Sequence, residues 1–129
     1  GLHDQISFPG WVRGEEKERL LRESDLLLLP SHAEGFPMSI IEGMAYGLPI
    51  VASKVGGIPQ IVSEGENGFL FACGDTSSMA DAVLLLLRNP SLREQFRQKS
   101  YSIEQGHYTF DQHLNKLEQV YRKVLALRH

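Results

Sequence analysis

Two glutamates eight positions apart, Glu34 and Glu42, frame the stretch of this sequence best suited to chemistry: Pro-Ser-His-Ala-Glu-Gly-Phe-Pro-Met-Ser-Ile-Ile-Glu over residues 30–42. Between them an apolar run ends, a loop turns and a helical pattern begins. Gly35 lets the backbone approach a ligand, and Pro37 suits the first turn of a helix, where a missing N–H costs nothing. A helix starting there aims the free N–H groups of Met38 and Ser39, with the positive end of its dipole, at the space beyond. A phosphate could bind there without a basic side chain. An ionised carboxylate only accepts hydrogen bonds, so Glu34 suits sugar hydroxyls and Glu42 suits the paired hydroxyls of a ribose.

A plainer reading is also open, in which Glu34 caps the helix and Glu42 is a solvated helical residue. Paired carboxylates also serve glycoside hydrolysis, as acid and nucleophile, but hydrolysis has no need of a helix start rich in donors between them. His32 is a candidate proton carrier, set against the commoner role of a loop histidine at the surface. Gly56 and Gly57 suit either a tight turn or close approach to a ligand. His3, His107, His113 and His129 lack metal-ligand spacing, so no metal is expected. The run from Gly43 to Gly47 is neither a Walker loop nor a dinucleotide fingerprint, and packing explains its glycines. Trp11, Phe69 and Phe71 are expected in the core.

The elements that must position these residues alternate. Ile6 to Phe8 is a short candidate strand closed by Pro9-Gly10, and Glu15 to Glu23 a short surface helix. Asp25 to Pro30 carries four leucines and is expected as a strand buried on both faces. A helix over Pro37 to Tyr46 follows, with Ile40, Ile41, Met44 and Ala45 at helical spacing and Gly47 as its C-cap. Pro49 to Ser53 is a third strand, Val55 to Pro59 a second flexible loop, Pro59 to Ser63 a short helix, and Phe69 to Phe71 a last strand after the Asn67-Gly68 turn. Thereafter the pattern is helical: Thr76 to Arg88, Ser91 to about Gln105 ended by Gly106, and Phe110 to Leu127 with an apolar stripe. This alternation predicts an α/β fold with a partial, Rossmann-like parallel sheet and flanking helices. Ligands in such sheets bind beyond the carboxyl ends of the strands, so the loops over 30–37 and 55–59 should converge on one crevice.

Composition narrows the partners. A chain of 129 residues, 42% hydrophobic, forms one domain with a real core. Its net charge of −3, from 13 basic and 16 acidic residues, offers no electrostatic footprint for nucleic acid. Cys73 is the single cysteine, expected as a small apolar residue in a reducing compartment. The longest apolar runs, Leu26 to Leu29 and Ala82 to Leu87, are far shorter than a membrane span, and without a charged segment followed by an apolar one at its start the sequence is not expected to carry a leader. The expected location is cytoplasmic, with attachment at the inner face of the membrane as a variant for a longer parent protein.

The ordered combination of Ser24-Asp25-Leu26-Leu27-Leu28-Leu29-Pro30-Ser31, Glu34-Gly35-Phe36-Pro37, Ile41-Glu42-Gly43-Met44-Ala45-Tyr46-Gly47-Leu48-Pro49-Ile50-Val51-Ala52, Gly56-Gly57 and Gly65-Glu66-Asn67-Gly68 resembles the C-terminal part of retaining glycosyltransferases of the GT-B fold, family 4. The likeness runs from about Phe8 to the final helix. It implies a nucleotide-sugar donor, transfer with retained anomeric configuration, and no metal or other cofactor. Residue by residue, Glu34 matches the acid that contacts the donor sugar, and Glu42 the acid that holds the ribose. Gly35, Phe36, Met38 and Ser39 match the segment lying against sugar and diphosphate. Pro37 stands where many members have glycine and removes one backbone donor.

The same resemblance implies that the chain corresponds to roughly the last third of an enzyme. Two further strands, a basic segment that neutralises the diphosphate, and an N-terminal acceptor domain would lie elsewhere. The strand Leu26 to Leu29 would then present an apolar edge, and either self-association across it or rearrangement of residues 1–12 is expected. Two other functions stay open: a non-catalytic nucleotide-sugar-binding module, and a GT-B nucleotide-sugar epimerase.

Overall fold

The computed structural model describes residues 1–127; His129, among the histidines weighed above, lies outside them. Three parallel strands form the sheet: β1 (Leu27–Leu29), β2 (Ile50–Ser53) and β3 (Gly68–Phe71), in the order β1-β2-β3. Leu28 pairs with Val51, and Val51 with Phe69. The helices are α1 (Gly14–Glu23), α2 (Met38–Ala45), α3 (Ile58–Ile61), α4 (Thr76–Arg88), α5 (Pro90–His107) and α6 (Phe110–Ala126). The predicted α/β class and its parallel sheet are present.

Side chains alternate across a strand, and β2, between two neighbours, is buried at all four positions. Ile50 and Ala52 face Ile40, Ile41 and Met44 of α2 and Ile58 and Ile61 of α3. Val51 faces the other way, with Phe71, Leu86 of α4 and Phe96 of α5. Ser100, fully buried on α5, donates from Oγ to the Leu48 carbonyl at 2.8 Å, so α5 is tied to the turn that enters β2. Asp75 caps α4: its carboxylate accepts from the Ser78 hydroxyl and backbone N–H, and these bonds hold its pKa below the ordinary carboxylate value.

Four expectations need correcting. Ile6 to Phe8 forms no strand; residues Leu2–Gln5 make a 3-10 turn, and Ile6, Phe8 and Trp11 stand exposed. Apolar residues at alternate positions make a segment able to join a sheet but do not place it beside one, and the free edge of β1 is not paired with this segment. Trp11 is accordingly outside the core, with the Arg13 guanidinium 5.2 Å from its ring centre. β1 is not buried on both faces, since it is an edge strand and Leu28 is 40% exposed. Gly106 does not end α5, which continues to His107 and closes with the Tyr108 N–H on the Glu104 carbonyl.

Candidate functional site

β1 and β2 both end at the same rim of the sheet, and their following loops meet there. Ser53, the last residue of β2 and 1% exposed, donates from Oγ to the Ser31 carbonyl at 2.5 Å. The Gly57 N–H donates to the Gly35 carbonyl at 2.8 Å. Side chains are excluded from this seam. A Cβ on Gly56 would lie 1.7 Å from the Glu34 carbonyl oxygen, and Gly56 has a φ of +52°; a Cβ on Gly57 would lie 2.4 Å from the Gly35 carbonyl oxygen. These glycines are needed for close backbone approach, and the expected convergence of the loops over 30–37 and 55–59 is present.

On that locked backbone, Glu34 is half-buried and its Oε1 accepts the Ser31 hydroxyl at 2.6 Å. It does not cap α2. The N-cap is Pro37, one residue earlier than the first-turn place expected for it, and no side chain bonds to the helix start. The first turn also lacks an acidic residue. The N–H groups of Met38 and Ser39 are therefore uncapped by protein side chains and sit four and five residues from Glu34. Gly35 has open space where a side chain would be. Phe36 and Met38 expose 49% and 59% of their surface, so this loop presents apolar side chains outward.

Glu42 has a different neighbour. Its Oε2 pairs with Lys17 Nζ of α1 at 2.7 Å, and both side chains are about 40% exposed. The pair borders a hollow of about 260 Å³ between α1 and α2, lined also by Leu21 and Tyr46. Lys17 was not foreseen; it lies 25 positions from Glu42 inside a charged helix, and no local spacing signals a contact between elements. The plain reading of Glu42 as a free solvated acid is thus modified, because its charge is partnered.

His32 and Cys73 also come together, with Nδ1 and Sγ 3.0 Å apart, at the ends of β1 and β3. Cys73 is exposed rather than a small apolar core residue. Among the described residues, no group of three or more His, Cys, Asp or Glu side chains is placed to hold a metal ion, and no helix is long and apolar enough to cross a membrane.

Residues 1–103 match the family of glycosyl transferases group 1. The chain belongs to that family. N-acetyl-alpha-D-glucosaminyl L-malate synthase of Bacillus anthracis is 31% identical over 124 residues, covering 96% of this chain and 32% of the relative. Among solved structures, sucrose-phosphate synthase of Thermosynechococcus elongatus superposes with a TM-score of 0.89 at 27% identity, over 98% of this chain and 32% of that one. HepE of Anabaena, solved in complex with UDP-glucose, gives 0.71 at 25% identity, over 84% of this chain and 29% of that one. This glycosyl transferases group 1 chain therefore spans about a third of the length of these relatives, and its fold is that of the GT-B glycosyltransferases.

Proposed function

We propose that this chain binds the nucleotide-sugar donor of a retaining glycosyltransferase of family 4 and that the whole protein transfers the sugar to an acceptor. The observation that carries this reading is the uncapped start of α2 beside Glu34, on a loop locked backbone to backbone against Gly56 and Gly57. Such a terminus favours a diphosphate, through free N–H groups and the helix dipole. Gly35, Phe36, Met38 and Ser39 form its wall, and Glu34 is the residue assigned to the donor sugar and to catalysis. Glu42, held toward α1 by Lys17, is assigned to the ribose. Gly56 and Gly57 act by letting the two loops close. The solved relative carrying UDP-glucose supports a nucleotide sugar as the ligand class.

Charge forms on the diphosphate as the sugar leaves, and its stabilisation is the largest demand of such a reaction. We assign donor binding to this chain and turnover to the whole protein; the chain alone is expected to bind weakly and to transfer nothing. Calorimetric titration with UDP, UDP-glucose, GDP-mannose and ADP-glucose tests the reading. One nucleotide sugar should bind saturably, Glu34→Gln should remove only the preference of sugar nucleotide over bare nucleotide, and Glu42→Ala should weaken both. Absence of binding by every nucleotide, or sugar transfer by the isolated chain, would overturn the respective half of the proposal.

A further inference from the structure

Tyr108 stands between α5 and α6, and the backbone on both sides of it is fixed. Its own N–H donates to the Glu104 carbonyl at 2.8 Å and closes α5, while Thr109 beside it accepts the Gln112 N–H and caps α6. The half-buried side chain packs on the core cluster formed by α2, β2 and α3. A side chain carried between two closed helix ends has little freedom to shift unless a helix shifts with it.

Two contacts run from this fixed point to the two loops of the candidate site. The Tyr108 hydroxyl donates to the Gln60 carbonyl of α3 at 3.3 Å, just beyond the second loop. Its ring stands 6.0 Å, centre to centre, from that of Phe36 in the first loop, with 49° between the planes. Aromatic pairs favour such tilted arrangements. Phe36 also meets the second loop, because a Cβ on Gly57 would lie 3.3 Å from Phe36 Cδ2. Gly57 and Tyr108 therefore place the Phe36 ring together. The residue before it is Gly35, whose carbonyl accepts the Gly57 N–H, so the ring contact and the backbone bond act on neighbouring residues of one loop.

We propose that Tyr108 is a positioning residue of the donor loop: it fixes the Phe36 ring, and through that ring supports the hydrogen bond between Gly57 and Gly35. The corner between α5 and α6 thereby sets the geometry of the loop that carries Glu34. The locking rests on these contacts alone, whereas its effect on the donor rests on the donor reading. Tyr108 lies beyond residues 1–103, the span that matches the family.

Hydrogen exchange of the ligand-free chain tests the locking. Tyr108→Leu should speed exchange of the Gly57 N–H by about two- to tenfold, the worth of an aromatic pair. The Ile50 N–H, which donates to the Asn67 carbonyl beside the sheet, should exchange as before. Tyr108→Phe keeps the ring and should restore most of the protection. In a chain already carrying Phe36→Leu, the Tyr108→Leu change should add nothing, because its effect acts through that ring. Titration with UDP-glucose reads the consequence, with affinity lowered about two- to tenfold in Tyr108→Leu and recovered in Tyr108→Phe. Unchanged Gly57 exchange, an equal rise at Ile50, or additive effects of the two leucine substitutions would overturn the proposal. Faster Gly57 exchange with unchanged UDP-glucose affinity would overturn its bearing on the donor. If the parent chain binds no nucleotide sugar while Gly57 responds as expected, the donor reading fails and the positioning of the loop stands.

Discussion

Glu34 and Glu42 occupy regions built on opposite principles. Around Glu34 the backbone is fixed by buried and close-packed parts: Ser53 at the end of the central strand, the Gly57–Gly35 hydrogen bond, and two glycines with no room for a Cβ. Glu42 stands on α2, whose other face is buried, but its side chain is held by a partly exposed ion pair with Lys17. Surface ion pairs contribute little and yield to solvent, whereas a backbone seam has no alternative arrangement at low cost. The loop that carries Glu34 is therefore rigid, whereas the Glu42 side chain is adjustable on a fixed helix.

The contrast is broken most severely at Gly56. Gly56→Ala places a Cβ within bonding distance of the Glu34 carbonyl and forces a side chain onto a φ of +52°, so the seam must open by more than an ångström. Loss of a hydrogen bond to the charged diphosphate costs about 1.5–3 kcal/mol, so calorimetry should show nucleotide-sugar affinity lowered by up to about 100-fold. Gly35→Ala is the matching control for stability, because its Cβ meets nothing within 4 Å; its melting temperature should match the parent.

Removing the ribose acid comes next. Glu42→Ala should weaken UDP and UDP-sugar alike by about 1.5–3 kcal/mol, the worth of hydrogen bonds to a charged group, which is roughly tenfold or more. Unchanged UDP affinity would remove Glu42 from the site and leave it as a partner of Lys17 alone.

A subtler change tests the rigidity of the Glu34 loop. Ser31→Ala deletes the 2.6 Å hydrogen bond to Glu34 Oε1 but leaves the backbone seam intact. The expected loss is about 1 kcal/mol, roughly fivefold, in UDP-sugar binding with none in UDP binding. An effect approaching that of Gly56→Ala would mean that the side chain, not the seam, sets the loop.

How far this contrast was legible in the sequence follows from the kind of interaction involved. Local periodicity located α2, β2 and α4, because Ile40, Ile41 and Met44 recur at helical spacing and a short β-branched run follows Pro49. The meeting of the two loops followed from strands that are parallel, since parallel strands end at one rim. What escaped was contact between distant elements. Lys17 reaches Glu42 from another helix, and His32 reaches Cys73 across 41 positions. Ile6 to Phe8 carries strand-like residues, but alternation alone does not place a segment beside a sheet edge, and that placement depends on other parts of the chain. The uncapped state of α2 was half legible: Pro37 marked the start, but whether Glu34 folded back to cap it depended on Ser31.

The smallest expected effect is also the one that separates an adjustable acid from an occupied one. Lys17 binds Glu42 Oε2, leaving Oε1 as the oxygen with no ion-pair partner. A ribose diol is held best when both its hydroxyls find acceptors, so the ion pair and the diol compete for one oxygen. An exposed pair of this kind is worth about 0–1 kcal/mol. Lys17→Ala should therefore leave stability almost unchanged and strengthen UDP binding by at most about fivefold. In Glu42→Ala the same lysine change should do nothing, because its effect acts through that carboxylate. Weaker UDP binding in Lys17→Ala would reverse the assignment: Lys17 would then be a direct ligand of the nucleotide, and the α1–α2 hollow would bind through its cation.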